Sequence, residues 1–91
     1  MIDCWYILND LKVKVVYFGQ AREFAGTRED EIAVQGPLNL EKLISEVVEN
    51  HPNLAKILKL IQPLVNGRVV PQDTEIRDGD RVAFLPPVAG G

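Results

Sequence analysis

The chain has 91 residues, 46% hydrophobic and 25% charged, with a net charge of -3. That is enough for one folded domain with a small core, and too apolar for a disordered segment. The acidic balance leaves no basic stripe to neutralise phosphates, and no apolar run is long enough to span a bilayer, so neither nucleic acid nor membrane is expected as a partner.

Residues 1–10 carry Ile2, Cys4, Trp5, Tyr6, Ile7 and Leu8 and read as an N-terminal extension of unassigned role. Cys4 is the single cysteine and His51 the single histidine. Together they allow no internal disulfide and no Cys/His metal set, so no metal is expected. Without a basic leader the default compartment is the reducing cytoplasm.

From Leu11 to Phe18 the pattern alternates, with Leu11, Val13, Val15 and Tyr17 on one face and Lys12, Lys14, Val16 and Phe18 on the other, which predicts a strand. Gly19 ends it, and Gln20 to Ala25 reads as one or two helical turns stopped by Gly26. Glu31 to Val34 is a short strand broken by Gln35-Gly36-Pro37. The strongest helix signal follows. Leu40, Leu43, Ile44, Val47 and Val48 form one apolar stripe, Asn39 is its N-cap, and Pro52 stops it. His51 falls at the helix end and reads as a cap or surface residue. Leu54, Ile57, Leu58 and Ile61 briefly continue the helical spacing.

Asn66-Gly67 between Leu64-Val65 and Val69-Val70 predicts a tight hairpin, because both central residues of such a turn take positive φ. Thr74 to Arg77 leads into the turn Asp78-Gly79-Asp80, and Arg81 to Leu85 is the last strand, with Val82 and Phe84 facing inward. The order is strand, strand, helix, strand, strand, turn, strand. It predicts an α+β domain in which a mixed four- to five-stranded sheet packs on one main helix, the ubiquitin-like β-grasp roll, over residues 11–85.

Residues 86–91 read as an extended tail. Pro86 and Pro87 cannot donate to a ladder, so pairing stops there. Beyond Leu85 the chain reaches up to roughly 20 Å, at about 3.3–3.6 Å per residue. Val88, Ala89, Gly90 and Gly91 make a thin end suited to delivering the Gly91 carboxylate into a narrow active site. A carboxylate is a poor electrophile, so it must first be activated, and the chain offers no nucleophile–base pair or phosphate loop for that purpose.

Several segments match a known family. Val15-Val16-Tyr17-Phe18-Gly19-Gln20-Ala21-Arg22-Glu23, Val65-Asn66-Gly67 and Asp78-Gly79-Asp80, continuing through Phe84-Leu85-Pro86-Pro87-Val88 to Gly90-Gly91, resemble the small-subunit family of molybdopterin synthase. The resemblance covers about residues 12–91, and the double proline separates it from the related thiamine-pathway carrier. It implies a sulfur carrier without catalytic side chains or a bound cofactor of its own. An E1-like adenylyltransferase would use ATP and Mg²⁺ to convert Gly91 to an acyl-adenylate. A sulfur donor protein would then leave a thiocarboxylate, which the large synthase subunit would use to build the dithiolene. The resemblance also implies partner contacts at Phe18, Arg22, Val69 and Leu85, around an apolar patch on the sheet face away from the helix. The mild acidity suits a basic docking surface on a partner. The same activated glycine also fits a modifier joined to lysines, or a carrier for thiamine, tungsten-pterin or tRNA thiolation. A β-grasp interaction domain with an incidental Gly-Gly is the third class.

Overall fold

The computed structural model describes residues 10–86. Six strands and two α-helices follow in chain order. They are β1 (Asp10–Tyr17), α1 (Gln20–Ala25), β2 (Glu29–Gln35), β3 (Leu38–Asn39), α2 (Leu40–Asn50), β4 (Gln62–Val65), β5 (Glu75–Ile76) and β6 (Arg81–Leu85). Two 3₁₀ segments, Pro52–Lys56 and Leu58–Leu60, link α2 to β4.

The main sheet has the order β2-β1-β6-β4. β1 runs antiparallel to β2, with Val13 opposite Ile32, and parallel to β6, with Val15 opposite Val82. β4 closes the other side, antiparallel to β6. The alternation predicted for β1 is observed: Val13, Val15 and Tyr17 are fully buried, while Lys12 and Lys14 are exposed. Leu40, Leu43 and Val47 of α2 meet that inner face, joined by Leu54, Ile57, Val65, Val82 and Phe84. One amphipathic helix hides its stripe against one sheet face, which is the economy of a two-layer domain.

α2 starts where the sequence predicts. The Asn39 side chain accepts a hydrogen bond from the Lys42 N–H at 2.8 Å. The next free donors at this end are the N–H groups of Leu40 and Glu41, which donate to the carbonyls of Thr74 and Gln72. These bonds account for a departure from the hairpin reading. Asn66 (φ 51) and Gly67 (φ 83) form the expected turn. The returning arm, however, makes only an isolated bridge between Val65 and Arg68. Pro71 cannot extend a ladder, and the segment after it crosses over to serve the start of α2. The strand partner of β4 is therefore β6, not Val69-Val70.

Two further readings change in detail. The helical spacing of Leu54 to Ile61 is met by the 3₁₀ segments, with Leu54 and Ile57 in the core. Glu75–Ile76 pairs with Leu38–Asn39 as a separate two-stranded sheet, so the main sheet has four strands.

The Asp-Gly-Asp motif is structural. Asp78 Oδ1 accepts the Lys12 N–H at 2.8 Å, and the Gly79 N–H donates to the Lys12 carbonyl, also at 2.8 Å. Asp80 accepts from the Arg77 N–H and from Asn66 Nδ2, while Asn66 Oδ1 accepts the Arg81 N–H at 3.0 Å. The turn thus fastens the start of β6 to β1 on one side and to the β4 hairpin on the other.

Candidate functional site

β1 and β6 are the two central strands and run parallel, so both end on the same side of the sheet. Tyr17 lies opposite Phe84, and the Phe18 N–H donates to the Phe84 carbonyl at 3.1 Å. This is the last bond between the two strands before Pro86 removes the next donor. Gly19 follows with φ 55 and ψ -127, a backbone conformation open mainly to glycine. A Cβ on Gly19 would stand 2.8 Å from Pro86 Cγ, so the proline ring rests on the bare glycine backbone. The root of the tail is therefore braced against the end of β1. Pro87, Val88, Ala89, Gly90 and Gly91 lie outside the described residues, as does the segment 1–9 with Cys4.

The outer face of the sheet, away from α2, carries the predicted patch in part. Phe18 and Leu85 are both half-buried and follow adjacent register partners at the ends of β1 and β6. Phe18 also borders a shallow depression of about 270 Å³ shared with Leu64, Asn66, Gly67, Arg81 and Ala83. Val69 is 69% exposed but follows the hairpin at the opposite end of β4, level with the start of β6. The structure thus joins Phe18 to Leu85 and sets Val69 apart from them. Arg22 is exposed on α1, and its carbonyl accepts the Gly26 N–H that ends that helix.

Leu64 and Ala83 were not singled out from the sequence. The period-2 pattern places Ala83 on the outer face, but only the pairing of β4 with β6 sets Leu64 opposite it. A second depression, of about 220 Å³, opens on the helix side between Ile44, Leu58, Ile61 and Phe84. Of the positions predicted to touch partners, none lines it.

His51 has a definite partner. Its Nε2 lies 2.5 Å from Asp30 Oδ2, and Tyr17 Oη donates to the same oxygen at 2.9 Å. The Tyr17 ring meets His51 and Phe84 edge-on, with centroids 5.6 and 5.8 Å away. Burial, followed by the hydrogen bond and negative charge of Asp30, pushes the Tyr17 phenol well above its ordinary pKa. This cluster ties the end of α2 to β1 and β2. No group of three or more potential metal ligands converges among the described residues, and no helix there is long and apolar enough to cross a membrane.

Comparison with known proteins gives consistent matches. The ThiS family model matches residues 15–91. The molybdopterin synthase sulfur carrier subunit of Mycobacterium tuberculosis is 38% identical, over 89% of this chain and 99% of its own length. The corresponding subunit of Chlamydomonas reinhardtii is 36% identical, over 89% of this chain and all of its own. Among solved structures, the small archaeal modifier protein 1 of Methanosarcina acetivorans superposes with a TM-score of 0.74 at 26% identity, covering 90% of this chain and 98% of that one. The chain belongs to the ThiS family, alongside the molybdopterin synthase sulfur carrier subunits.

Proposed function

We propose that this protein is the sulfur carrier of molybdopterin synthesis, loaded and unloaded at the Gly91 carboxylate. The observation that carries the reading is the extent of the match. It runs through Gly91, and relatives covered over essentially their whole length are carriers of this kind.

The proposed cycle begins with an E1-like adenylyltransferase, which uses ATP and Mg²⁺ to place an adenylate on Gly91. Adenylation turns a poor electrophile into an acyl group with a good leaving group. A sulfur donor protein then supplies sulfur to the carbonyl carbon, AMP departs, and a thiocarboxylate remains. The large subunit of the synthase takes the charged end into its own active site, where sulfur passes to the pterin. The carrier contributes no catalytic side chain. It contributes a recognisable body, a braced root at Gly19 and Pro86, and an end without side chains at Gly90 and Gly91. Glycine at the reacting carbonyl leaves room for a tetrahedral intermediate.

Phe18 and Leu85 support docking because they flank the root, so a protein that binds them also receives the tail. Arg22 and Val69 belong to the same proposal at its margins. The test is an intact-mass measurement after incubation with the adenylyltransferase, ATP and a sulfur source. A gain equal to one oxygen-to-sulfur exchange, absent when Gly91 is deleted, is expected. No gain in the full-length chain would overturn the proposal.

A second reading is favoured by the likeness to the archaeal modifier. The same activated Gly91 would be joined to lysine amines of other proteins. Higher-mass conjugates on a denaturing gel, dependent on Gly91, would establish it.

A further inference from the structure

Arg81 opens β6 directly beside Lys14 of β1 in the parallel register. Both are exposed, and both face away from α2, since their neighbours Val13, Val15 and Val82 are buried in the core. Lys12 lies two places earlier on the same face. Like charges side by side on a sheet destabilise the pairing. Lys14 is relieved by Glu29, whose carboxylate is 3.1 Å from its Nζ. Among the described residues the ion pairs are Lys14–Glu29, His51–Asp30 and Arg77–Glu75, so the Arg81 guanidinium has no carboxylate partner.

This cation, outside the ion pairs of the described residues, stands on a chain of net charge -3. The exposed acids Glu41 and Glu49 and the half-buried Glu46 belong to α2 on the opposite layer, and Glu29 and Glu31 lie at the β2 edge. The nearer Asp78 and Asp80 are engaged by the Lys12 and Arg77 N–H groups and by Asn66 Nδ2. Arg81 instead borders the depression formed with Phe18, Leu64 and Ala83, continuous with the docking face proposed above. A guanidinium beside a small apolar hollow is suited to a carboxylate neighbouring an apolar side chain. The sign is opposite to the one that the overall charge suggests.

We propose that Arg81 is a specificity determinant for docking, and that it receives an Asp or Glu carboxylate of the large synthase subunit. That subunit would present an apolar side chain to the Phe18–Leu64–Ala83 hollow with the acid next to it. The inference rests on the proposed carrier function and adds the chemistry of the partner's surface.

The test is calorimetric titration of the full-length chain with the large subunit from the same organism, at low and at high salt. Wild type, Arg81→Gln and Arg81→Glu are compared, each with its melting temperature. Arg81→Glu should weaken binding about tenfold or more at low salt, with Arg81→Gln in between and the difference shrinking at high salt. The melting temperature of Arg81→Glu should be unchanged or higher, because the new side chain pairs with Lys14. If wild type binds and Arg81→Glu binds equally well at low salt, the assignment of Arg81 is overturned while the carrier reading stands. If wild type fails to bind the large subunit at all, the carrier reading itself falls, and this inference with it.

Discussion

Replacing Tyr17 with phenylalanine removes one oxygen from the core and nothing else, which makes it a clean measure of what joins α2 to the sheet. The Tyr17 ring is fully buried, so phenylalanine leaves no cavity, and the edge-on contacts with His51 and Phe84 are preserved. The lost interaction is the 2.9 Å hydrogen bond to Asp30 Oδ2. The Asp30 side chain is 30% exposed and keeps His51 at 2.5 Å, so water and the imidazole compensate in part. A net loss of about 1 kcal/mol is expected, inside the usual range for a hydrogen bond that is only partly replaced. In a domain of this size about 1 kcal/mol lowers the melting temperature by about 4–8 °C. His51→Ala should cost a similar amount. Because both donors use one oxygen, the two changes together should not add, and a double-mutant cycle should show a coupling of about 0.5 kcal/mol or more. Denaturant unfolding of the four variants provides the measurement. Loading of Gly91 should be unaffected at temperatures where the variants remain folded. Strict additivity, or an unchanged melting temperature for Tyr17→Phe, would refute the idea that these side chains act as a unit.

Other outcomes follow from the same geometry. Leu85→Glu places a charge on the half-buried outer face beside Phe18, the docking face proposed above, and should lower affinity for the large subunit at least tenfold while leaving the fold intact. Calorimetry together with circular dichroism would check both halves, and undiminished affinity would remove the patch from the account. Stability should also fall at strongly alkaline pH. The phenol pKa of Tyr17 is higher in the folded state than in the unfolded chain, so its contribution is intact below the ordinary tyrosine value of about 10 and is lost above it, as the unfolded chain sheds the proton. Melting curves of Tyr17→Phe should be flatter over that interval than those of wild type, and parallel curves would contradict the assignment.

What the sequence disclosed was governed by short-range regularity. The alternation from Leu11 to Phe18, the stripe from Leu40 to Val48 and the Asn39 cap are each settled within a few residues, and the structure reproduces them. The Asn66-Gly67 turn was also local and is present, yet its outcome was not local. Whether Val69-Val70 would pair depended on β6 already occupying β4 and on the free N–H groups of α2 drawing the next segment away. The same limit hid the work of Asp78, whose side chain caps a backbone donor 66 positions earlier. His51 looked like an ordinary helix-end residue, because Asp30 and Tyr17 are brought to it only by the sheet. At the site, Phe18 and Leu85 were legible through the parity of their strands. Leu64 needed the register, and the placement of Arg81 beside Lys14 needed the cross-strand pairing as well.

The placement of the tail root carries a mechanical consequence. An end that other proteins must pull, charge and release would do damage if it peeled its own strand from an edge. Here β6 is an interior strand, held by β1 on one side and β4 on the other, and its inward residues Val82 and Phe84 are at most 1% exposed. Force on the end is therefore met by two ladders and a buried aromatic residue before any core is exposed. At Pro86 the ladder stops for want of a donor, and Gly19 gives the ring a seat. The boundary between a part that must stay folded and an end that must be handed over thus falls on one residue, fixed by the chemistry of proline and by a neighbour with no side chain.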